Sequence, residues 1–336
     1  MRMAPELAVE VEHLNKTYAA GVLALNDVSF AAPAGAVLGV LGPNGAGKTT
    51  AIRILTTLLK PDSGSVRIAG LDLSKDPEGI RRRIGLSGQS ATIDEGLTGT
   101  ENLLLIGWLN HMRRADRKSR AAELLVQFGL SDDGGRILKT YSGGMRRRLD
   151  LAVALMARPS VLFLDEPTTG LDPRSRGDLW ITLEHLVSGG TTLILTTQYL
   201  EEADRLADHI CVVDQGQVVA EGTPTQLKAR IGGPTIEVVL TSMESGQMVE
   251  DMLRGLGSGS PIRNGAVVSI ESTTGLETMT EVTQRLELAG VEVATLQLRR
   301  PSLDEVFMAL TGTDSQSLHD SSSSKGVEIT ERLPTE

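Results

Sequence analysis

The sequence predicts an α/β protein with a phosphate-loop core and a second, smaller α/β domain. Three observations favour this fold class. A glycine-rich loop, Gly42–Thr50, stands between an apolar run and a helical pattern. A later apolar run ends in two carboxylates, Asp165 and Glu166. After Gly232 the chain returns to short alternating strands and helices, and 336 residues are enough for two separate cores.

The glycine-rich loop has the residue types that wrap a phosphate group. Gly42, Gly45 and Gly47 allow backbone N–H groups to curl around an anion. Lys48 is placed to reach the β- and γ-phosphates, and Thr49 to put a hydroxyl on Mg²⁺. The other loop residues expected at the nucleotide are Pro43, Asn44, Ala46 and Thr50.

The segments on either side of the loop strengthen this interpretation. Residues 36–41 have the pattern of a buried strand, and residues 48–59 that of a helix whose positive N-terminus faces the phosphates. A loop pattern alone is a weak signal. In this strand–loop–helix context it predicts an ATP site.

The acidic strand end supplies the remaining chemistry. Because a buried parallel strand ends at the edge where nucleotides bind, Asp165 is expected to hold Mg²⁺ through water, and Glu166 to accept a proton from the attacking water. Strand-terminal acids are more often solvated turn residues. The order of the two segments along the chain makes the functional interpretation stronger.

A third segment, Ser142-Gly143-Gly144, opens another helical pattern between these two. It is a second helix N-terminus that could bind an anion. One γ-phosphate held between two such ends would need two chains.

Composition excludes several classes of protein. The net charge of −10 argues against a nucleic-acid-binding surface. A single cysteine, Cys211, in an apolar run rules out a disulfide framework and predicts a buried thiol. No apolar stretch approaches the roughly 18 to 20 residues that cross a bilayer, and no secretory signal is evident, so we expect a cytoplasmic protein that meets the membrane through a partner.

The first domain is expected to cover residues 6–232. Residues 7–30 alternate like two half-buried strands, residues 161–164 and 193–196 join the buried strand before the loop in a parallel core, and residues 210–220 form a hairpin. Dense charge at helical spacing predicts a helical subdomain at about 90–150.

The second domain is expected at residues 234–312. Strand-like 236–240, 267–270 and 291–298 alternate with helix-like 246–256 and 278–289. Ser302 and Glu305 form a capping box for a last helix. The Ser-rich, apolar-poor residues 313–336 predict a disordered tail.

With these segments placed, the chain resembles the ATP-binding cassette (ABC) family over residues 6–312. The finer sequence resembles the daunorubicin/doxorubicin-resistance type of drug-export ATPase subunit. The segments that carry the resemblance are the loop 42–50, 88–102 with Gln89, 141–148, 165–166, 170–176, 196–200 and 302–310.

The resemblance implies an ABC-type nucleotide-binding domain with an antiparallel β subdomain and a helical subdomain. Tyr18 would stack on adenine, and Gln89 would touch Mg²⁺ and the water while sensing the membrane partner. Ser142 and Gly144 would bind the partner protomer's γ-phosphate, and Asp172 would couple the two sites. The partners implied are a second copy of the chain and a separate integral membrane permease in two copies, with the chain peripheral on the cytoplasmic side of the membrane.

Two positions depart from the broad family pattern. Gln198 stands where most members have His, and Met145 where most have Gln. The Gln198 amide can donate to a γ-phosphate and accept from the water, so we expect Glu166 and Gln198 to act together at the water.

The main hypothesis is therefore a transport ATPase, and drug export is inferred from the resemblance. Related subunits move polysaccharides, lipids or ions, which keeps those cargoes open. A soluble ABC ATPase acting on ribosomes or DNA is disfavoured by one cassette and one cysteine, and a non-hydrolysing sensor by Glu166. The loop with Ile93, Asp94, Glu95 and Leu97, beside Gln89, is predicted to contact the membrane subunit.

Overall fold

The computed structural model describes residues 6–19, 21–88, 93–272 and 274–311. Within these ranges the chain forms two compact units, which divide between Leu227 and Lys228. The sequence pattern places the boundary near Gly232. The predictions for Gln89 and for the tail at 313–336 lie outside the described residues.

The first unit contains two sheets and the helices that follow their strands. Its strands are β1 (Leu7–Thr17), β2 (Leu23–Pro33), β3 (Val37–Leu41), β4 (Ser63–Ile68), β5 (Leu71–Asp72), β6 (Ile84–Ser87), β7 (Val161–Asp165), β8 (Thr192–Thr197), β9 (His209–Asp214) and β10 (Gln217–Gly222). Its helices are α1 (Lys48–Leu55), α2 (Pro77–Arg81), α3 (Gly99–Leu109), α4 (Arg114–Gln127), α5 (Gly143–Ala154), α6 (Pro173–Ser188) and α7 (Leu200–Leu206), and α8 (Pro224–Ala229) covers the point of division.

The central sheet brings the predicted site segments to one edge. Its strand order is β10-β9-β3-β8-β7-β6, and all pairs are parallel except β10 with β9. Every residue of β3, β7 and β8 is buried, which explains their continuous apolar runs. Leu41 pairs with Thr197, and Asp165 with Thr196, so three carboxyl ends meet beside the phosphate loop.

The second sheet is antiparallel, in the order β2-β1-β4-β5. It confirms the two half-buried strands expected from residues 7–30, and Val9, Leu14 and Leu25 are fully buried in its core. β4 was not predicted. Its first three residues are exposed and Gly64 has a φ of 101°, so it lacks an alternating pattern at the start.

Helices α3, α4 and α5 confirm that the charged region predicted at about 90–150 is helical from Gly99 onward. α3 begins with a full capping box, in which Thr98 and Glu101 bond each other's backbone N–H. α1 is shorter than predicted. It ends at Leu55 rather than at residue 59, because Thr57 takes a left-handed conformation with a φ of 64° that a helix cannot contain.

The second unit is a four-stranded antiparallel sheet with helices. Its elements are β11 (Thr235–Leu240), α9 (Gly246–Leu253), β12 (Ile262–Asn264), β13 (Val267–Glu271), α10 (Leu276–Leu288), β14 (Val293–Arg299) and α11 (Leu303–Thr311). The strand order is β12-β13-β11-β14. β12 was not predicted because all three of its residues are exposed, and α9 ends earlier than the pattern indicated.

Two smaller predictions are confirmed. Cys211 is fully buried in β9, and burial raises the pKa of its thiol to about 12. The Ser302 hydroxyl accepts the Glu305 N–H while Glu305 accepts the Ser302 N–H, which forms the expected capping box. In the described part of the chain, no helix has the length and apolar character needed to cross a membrane.

Candidate nucleotide-binding and hydrolysis site

The phosphate loop requires glycine at two of its positions for steric reasons. Gly47 caps α1 with a φ of 109°, and a Cβ there would lie 2.4 Å from the Ala24 carbonyl oxygen. A Cβ on Gly42 would lie 2.2 Å from the Val213 carbonyl oxygen. Both positions therefore exclude larger residues, and the backbone N–H groups at the start of α1 stay open toward an anion.

Lys48 is held inside the loop that it belongs to. Its side chain is 5% exposed, and its Nζ donates to the carbonyl oxygens of Gly42 at 2.6 Å and Pro43 at 3.0 Å. Burial lowers the pKa of Lys48, and the nearby carboxylates of Glu166 and Asp165 oppose that shift. The ammonium is therefore restrained at the loop, where it can pair with a phosphate.

Asp165 stands at the end of β7 between two hydroxyl groups. Its Oδ1 accepts the Thr196 hydroxyl at 2.5 Å and lies 3.5 Å from the Thr49 hydroxyl. These are hard oxygen donors of the kind that Mg²⁺ prefers. Among the described residues, no group of three or more His, Cys, Asp or Glu could hold a metal ion.

Glu166 follows Asp165 in a conformation that is uncommon for a non-glycine residue. Its φ is 49°, which costs about 1–3 kcal/mol and persists where neighbouring contacts fix it. Its N–H donates to the Thr196 carbonyl oxygen at 3.0 Å, and its Oε2 accepts the Thr169 hydroxyl at 3.3 Å. This strain lies at the residue that the sequence assigns as the base.

One cavity of about 290 Å³ gathers the predicted nucleotide residues. Tyr18 is 37% exposed at its rim, and its hydroxyl lies 3.2 Å from that of Thr50. The predicted site residues on its wall are Tyr18, Asn44, Gly45, Gly47, Lys48, Thr49, Thr50 and Glu166. Ala46 is buried behind the loop and donates its N–H to Pro43 at 3.2 Å.

The Ser142-Gly-Gly segment lies at a different cavity. Ser142 is the N-cap of α5, and its hydroxyl accepts the Met145 N–H at 3.3 Å. Gly143, Gly170 and Glu166 line a cavity of about 540 Å³, which the phosphate loop does not line. Gly144 is tightly packed, since a Cβ there would lie 3.1 Å from the Ser175 hydroxyl. Glu166 is the predicted site residue that lines both cavities.

The last two predicted residues are exposed. Asp172 caps α6, and hydrogen bonds from Ser175 hold the pKa of Asp172 below its ordinary value. Gln198 follows β8 directly and is exposed. Their predicted roles at a shared site remain predictions.

Sequence reasoning missed four residues that organise this site. Thr196 bonds both acidic residues at the end of β7. Half-buried Arg147 and the buried residues Asp150 and Ser87 form a polar group, in which Ser87 donates to Asp150 at 2.5 Å. A polar residue closing an apolar strand could have indicated Thr196. Arg147 sits in a run of three arginines whose pattern does not distinguish one from another.

The fold and the site together define a nucleotide-binding domain of the ABC type. Residues 25–169 match the ABC transporter family, and residues 222–311 match the C-terminal domain of DrrA1-3-like ATP-binding proteins.

The chain is similar to the daunorubicin resistance ATP-binding protein DrrA2 of Streptomyces coeruleorubidus, with 49% identity over 91% of this chain and 95% of that protein. It is also similar to the daunorubicin/doxorubicin resistance ATP-binding protein DrrA of Streptomyces peucetius, with 47% identity over 93% and 94%. Among solved structures, a dimeric post-hydrolysis state of an ATP-binding cassette bound to ADP and Pi matches with a TM-score of 0.59 and 28% identity, over 64% of this chain and 98% of that one.

The chain therefore belongs to the ABC transporter ATP-binding proteins of the DrrA type. This confirms the predicted fold class, and it makes the chain an ABC-type ATPase.

Proposed function

We propose that this chain works as a homodimer that hydrolyses ATP with Mg²⁺ and energises export of an anthracycline-like drug through a separate membrane subunit, with one copy of that subunit for each copy of the chain. It would act peripherally, on the cytoplasmic side of the membrane. The observation that carries the hydrolytic part is the place of Glu166, which lines the phosphate-loop cavity and the cavity of the α5 N-terminus.

In the proposed mechanism, Lys48 and the backbone N–H groups of the loop hold the phosphates in place. Glu166 accepts a proton from the attacking water, and Gln198 orients that water and donates to the γ-phosphate. Catalysis of this kind depends on positioning and electrostatics more than on covalent chemistry. The strained backbone at Glu166 supports this role, because such strain gathers at functional sites.

Thr49 and Asp165 are the described residues that would hold Mg²⁺, and Gln89 is proposed as a third. When bound, the ion would neutralise part of the triphosphate charge. The carboxylate of Asp165, with one hydroxyl at 2.5 Å and another at 3.5 Å, fits a hard cation.

The homodimer is proposed because two anion-binding elements of the chain are separate. The phosphate loop and Gly143 line different cavities of the same chain, so one nucleotide within a single chain would not need both. In the proposed dimer, Ser142 and Gly144 of one chain meet the nucleotide on the phosphate loop of the other, and Asp172 lies between the sites. The similarity to a dimeric cassette that holds ADP and Pi supports this arrangement.

The proposed contact with the membrane subunit lies on the helical subdomain. Asp94 and Glu95 are exposed, and Trp108 and Leu109 of α3 are 60% and 55% exposed. Ile93 is buried, so within the predicted loop Asp94 and Glu95 are better placed for an outside partner. We assign the unit at 234–312 a regulatory or assembly role, because its sequence contains no phosphate loop or acid–base pair.

Drug export is tested by expressing the full chain together with its candidate membrane subunit. Everted membrane vesicles that contain both should take up doxorubicin when ATP and Mg²⁺ are added, and uptake should stop in Lys48→Ala. Lys75→Ala is the matched control, since the Lys75 side chain is 81% exposed and lies away from the loop. A complex that hydrolyses ATP but moves a lipid instead would overturn the drug cargo. A complex that does not hydrolyse ATP would overturn the whole proposal.

A further inference from the structure

Arg147 lies in the second turn of α5 and turns its guanidinium away from solvent. The side chain is 14% exposed. It donates from Nε to the Pro167 carbonyl oxygen at 2.7 Å and from Nη1 to the Gly88 carbonyl oxygen at 2.9 Å, and its Nη2 lies 3.5 Å from the Asp165 carbonyl oxygen. One side chain therefore joins its own helix to two other backbone segments, Gly88 and residues 165–167.

Two of these carbonyl groups flank Glu166. Asp165 precedes it and Pro167 follows it, so Arg147 holds the backbone on both sides of the residue with the φ of 49°. The Glu166 N–H is fixed from the other direction by Thr196. A conformation of this kind is kept only where its surroundings determine it fully.

A buried carboxylate, that of Asp150, helps to keep the guanidinium in place. Asp150 Oδ2 lies 3.5 Å from Nη1, its side chain is 4% exposed, and it accepts the Ser87 hydroxyl. Ser87 is the last residue of β6 and precedes Gly88, which Arg147 also holds. A planar guanidinium can serve several acceptors at once, which the single ammonium of a lysine cannot do in the same geometry.

We propose that Arg147 is a positioning residue that holds Glu166 in its working conformation and links it to helix α5 and to Gly88, which follows β6. The proposal rests on the assignment of Glu166 as the base. Arg147 belongs to the helix that begins with Ser142-Gly-Gly. A movement of that helix when a second chain binds would therefore shift the Arg147 contacts on either side of Glu166. Closure of the proposed dimer and hydrolysis of ATP would then be coupled through the Arg147 side chain.

The test compares Arg147→Met and Arg147→Lys in the full chain. We expect Arg147→Met to lower kcat for ATP by about 100-fold, the size of loss that a small misplacement at the reacting centre produces. We expect KM and the Kd for ATP to stay within about twofold, since the phosphate loop is untouched. Arg147→Lys should fall between the parent and Arg147→Met. Arg148→Met is the matched control, because Arg148 lies next on the same helix and donates to Phe128 at 3.2 Å, so its kcat should stay near that of the parent.

A double-mutant cycle separates positioning from general support of the fold. In the Glu166→Gln background, single-turnover hydrolysis of labelled ATP should fall little further when Arg147→Met is added, because residues that act as one unit are not additive. An equal loss in both backgrounds would overturn the proposal, as would a parent-like kcat in Arg147→Met. If Arg147→Met does not fold, a parent-like kcat in Arg147→Lys overturns it. Parent-like turnover in Glu166→Gln alone would instead remove the base assignment of the proposed function.

Discussion

Thr196 donates its hydroxyl to Asp165 over 2.5 Å, and the two residues are also paired in the register of the parallel strands β7 and β8. The register of β7 and β8 therefore places the Thr196 hydroxyl where it orients the Asp165 carboxylate. The same threonine fixes the Glu166 N–H, so one strand end orders both acidic residues of the site.

Loss of this hydroxyl should weaken the metal site. Thr196→Val keeps the β-branched shape but leaves the Asp165 carboxylate without the donor that orients it. We expect the Mg²⁺ concentration for half-maximal ATPase activity to rise by about 10-fold, as for lost outer-shell partners of metal ligands. A Mg²⁺ titration of activity measures this. Thr192→Val is the control at the opposite end of β8, where the hydroxyl accepts the Gly35 N–H, and its Mg²⁺ dependence should match the parent. Equal Mg²⁺ dependence in Thr196→Val would contradict the orienting role.

Substitution of Ser142 tests whether two chains share each nucleotide site. Glu166→Gln with ATP and Mg²⁺ should elute from a sizing column as a dimer, and adding Ser142→Arg should leave it a monomer, because bulk and charge would meet the facing nucleotide. Ser188→Arg is the control, since it adds the same bulk and charge at an exposed serine at the end of α6. It should still dimerise. Dimers of equal amount in Ser142→Arg would rule out the two-chain site.

Glu95 tests the contact with the membrane subunit. It pairs with Arg146 at 2.9 Å, and the two side chains are 54% and 38% exposed, so the pair contributes no more than about 1 kcal/mol to folding. Glu95→Lys should reduce drug transport and leave the ATPase activity of the full chain near normal. Glu184→Lys, which breaks a similarly exposed pair with Arg205, should affect neither.

The reversed pair Glu95→Lys with Arg146→Glu separates the two explanations for a transport defect. It restores the ion pair but not the charge that Glu95 offers to a partner, so transport should stay low. Recovery of transport would show that Glu95 serves the pair within the chain and not the partner.

Gln198 tests the proposed contact with the γ-phosphate. Gln198→Ala should lower turnover with little change in ATP affinity. Gln198→His should stay active but gain a pH dependence, because imidazole titrates near neutral pH, at about 6.5 when unperturbed, and an amide does not. The pH profile of kcat shows this, with the exposed Gln127→Ala as control. Parent-like turnover in Gln198→Ala would remove Gln198 from the site.

The sequence could predict the parts of this site that are local along the chain. The strand, loop and helix around Lys48 are one continuous segment. Ser142 directly precedes the helical pattern of α5 and is the N-cap of that helix. β3 carries no polar side chain, and β7 and β8 each contain a run of at least three apolar residues, so their burial was evident.

The remaining features depend on contacts that sequence patterns do not show. Arg147 meets Gly88 across 59 residues of chain, and its neighbours in sequence are also arginines. β12 and the start of β4 are exposed, so no apolar period marks them. The early end of α1 comes from the backbone of Thr57, a residue type that rarely takes a positive φ.

The most direct measurement of the central claim compares ATP binding and turnover in Glu166→Gln. The variant keeps the shape of the side chain, so the full chain should bind ATP with the affinity of the parent. It should lose turnover by about 10²- to 10⁴-fold, the contribution of a positioned general base. Lys48→Ala, in contrast, should abolish ATP binding. Turnover at the parent rate in a folded, ATP-binding Glu166→Gln protein would contradict the account.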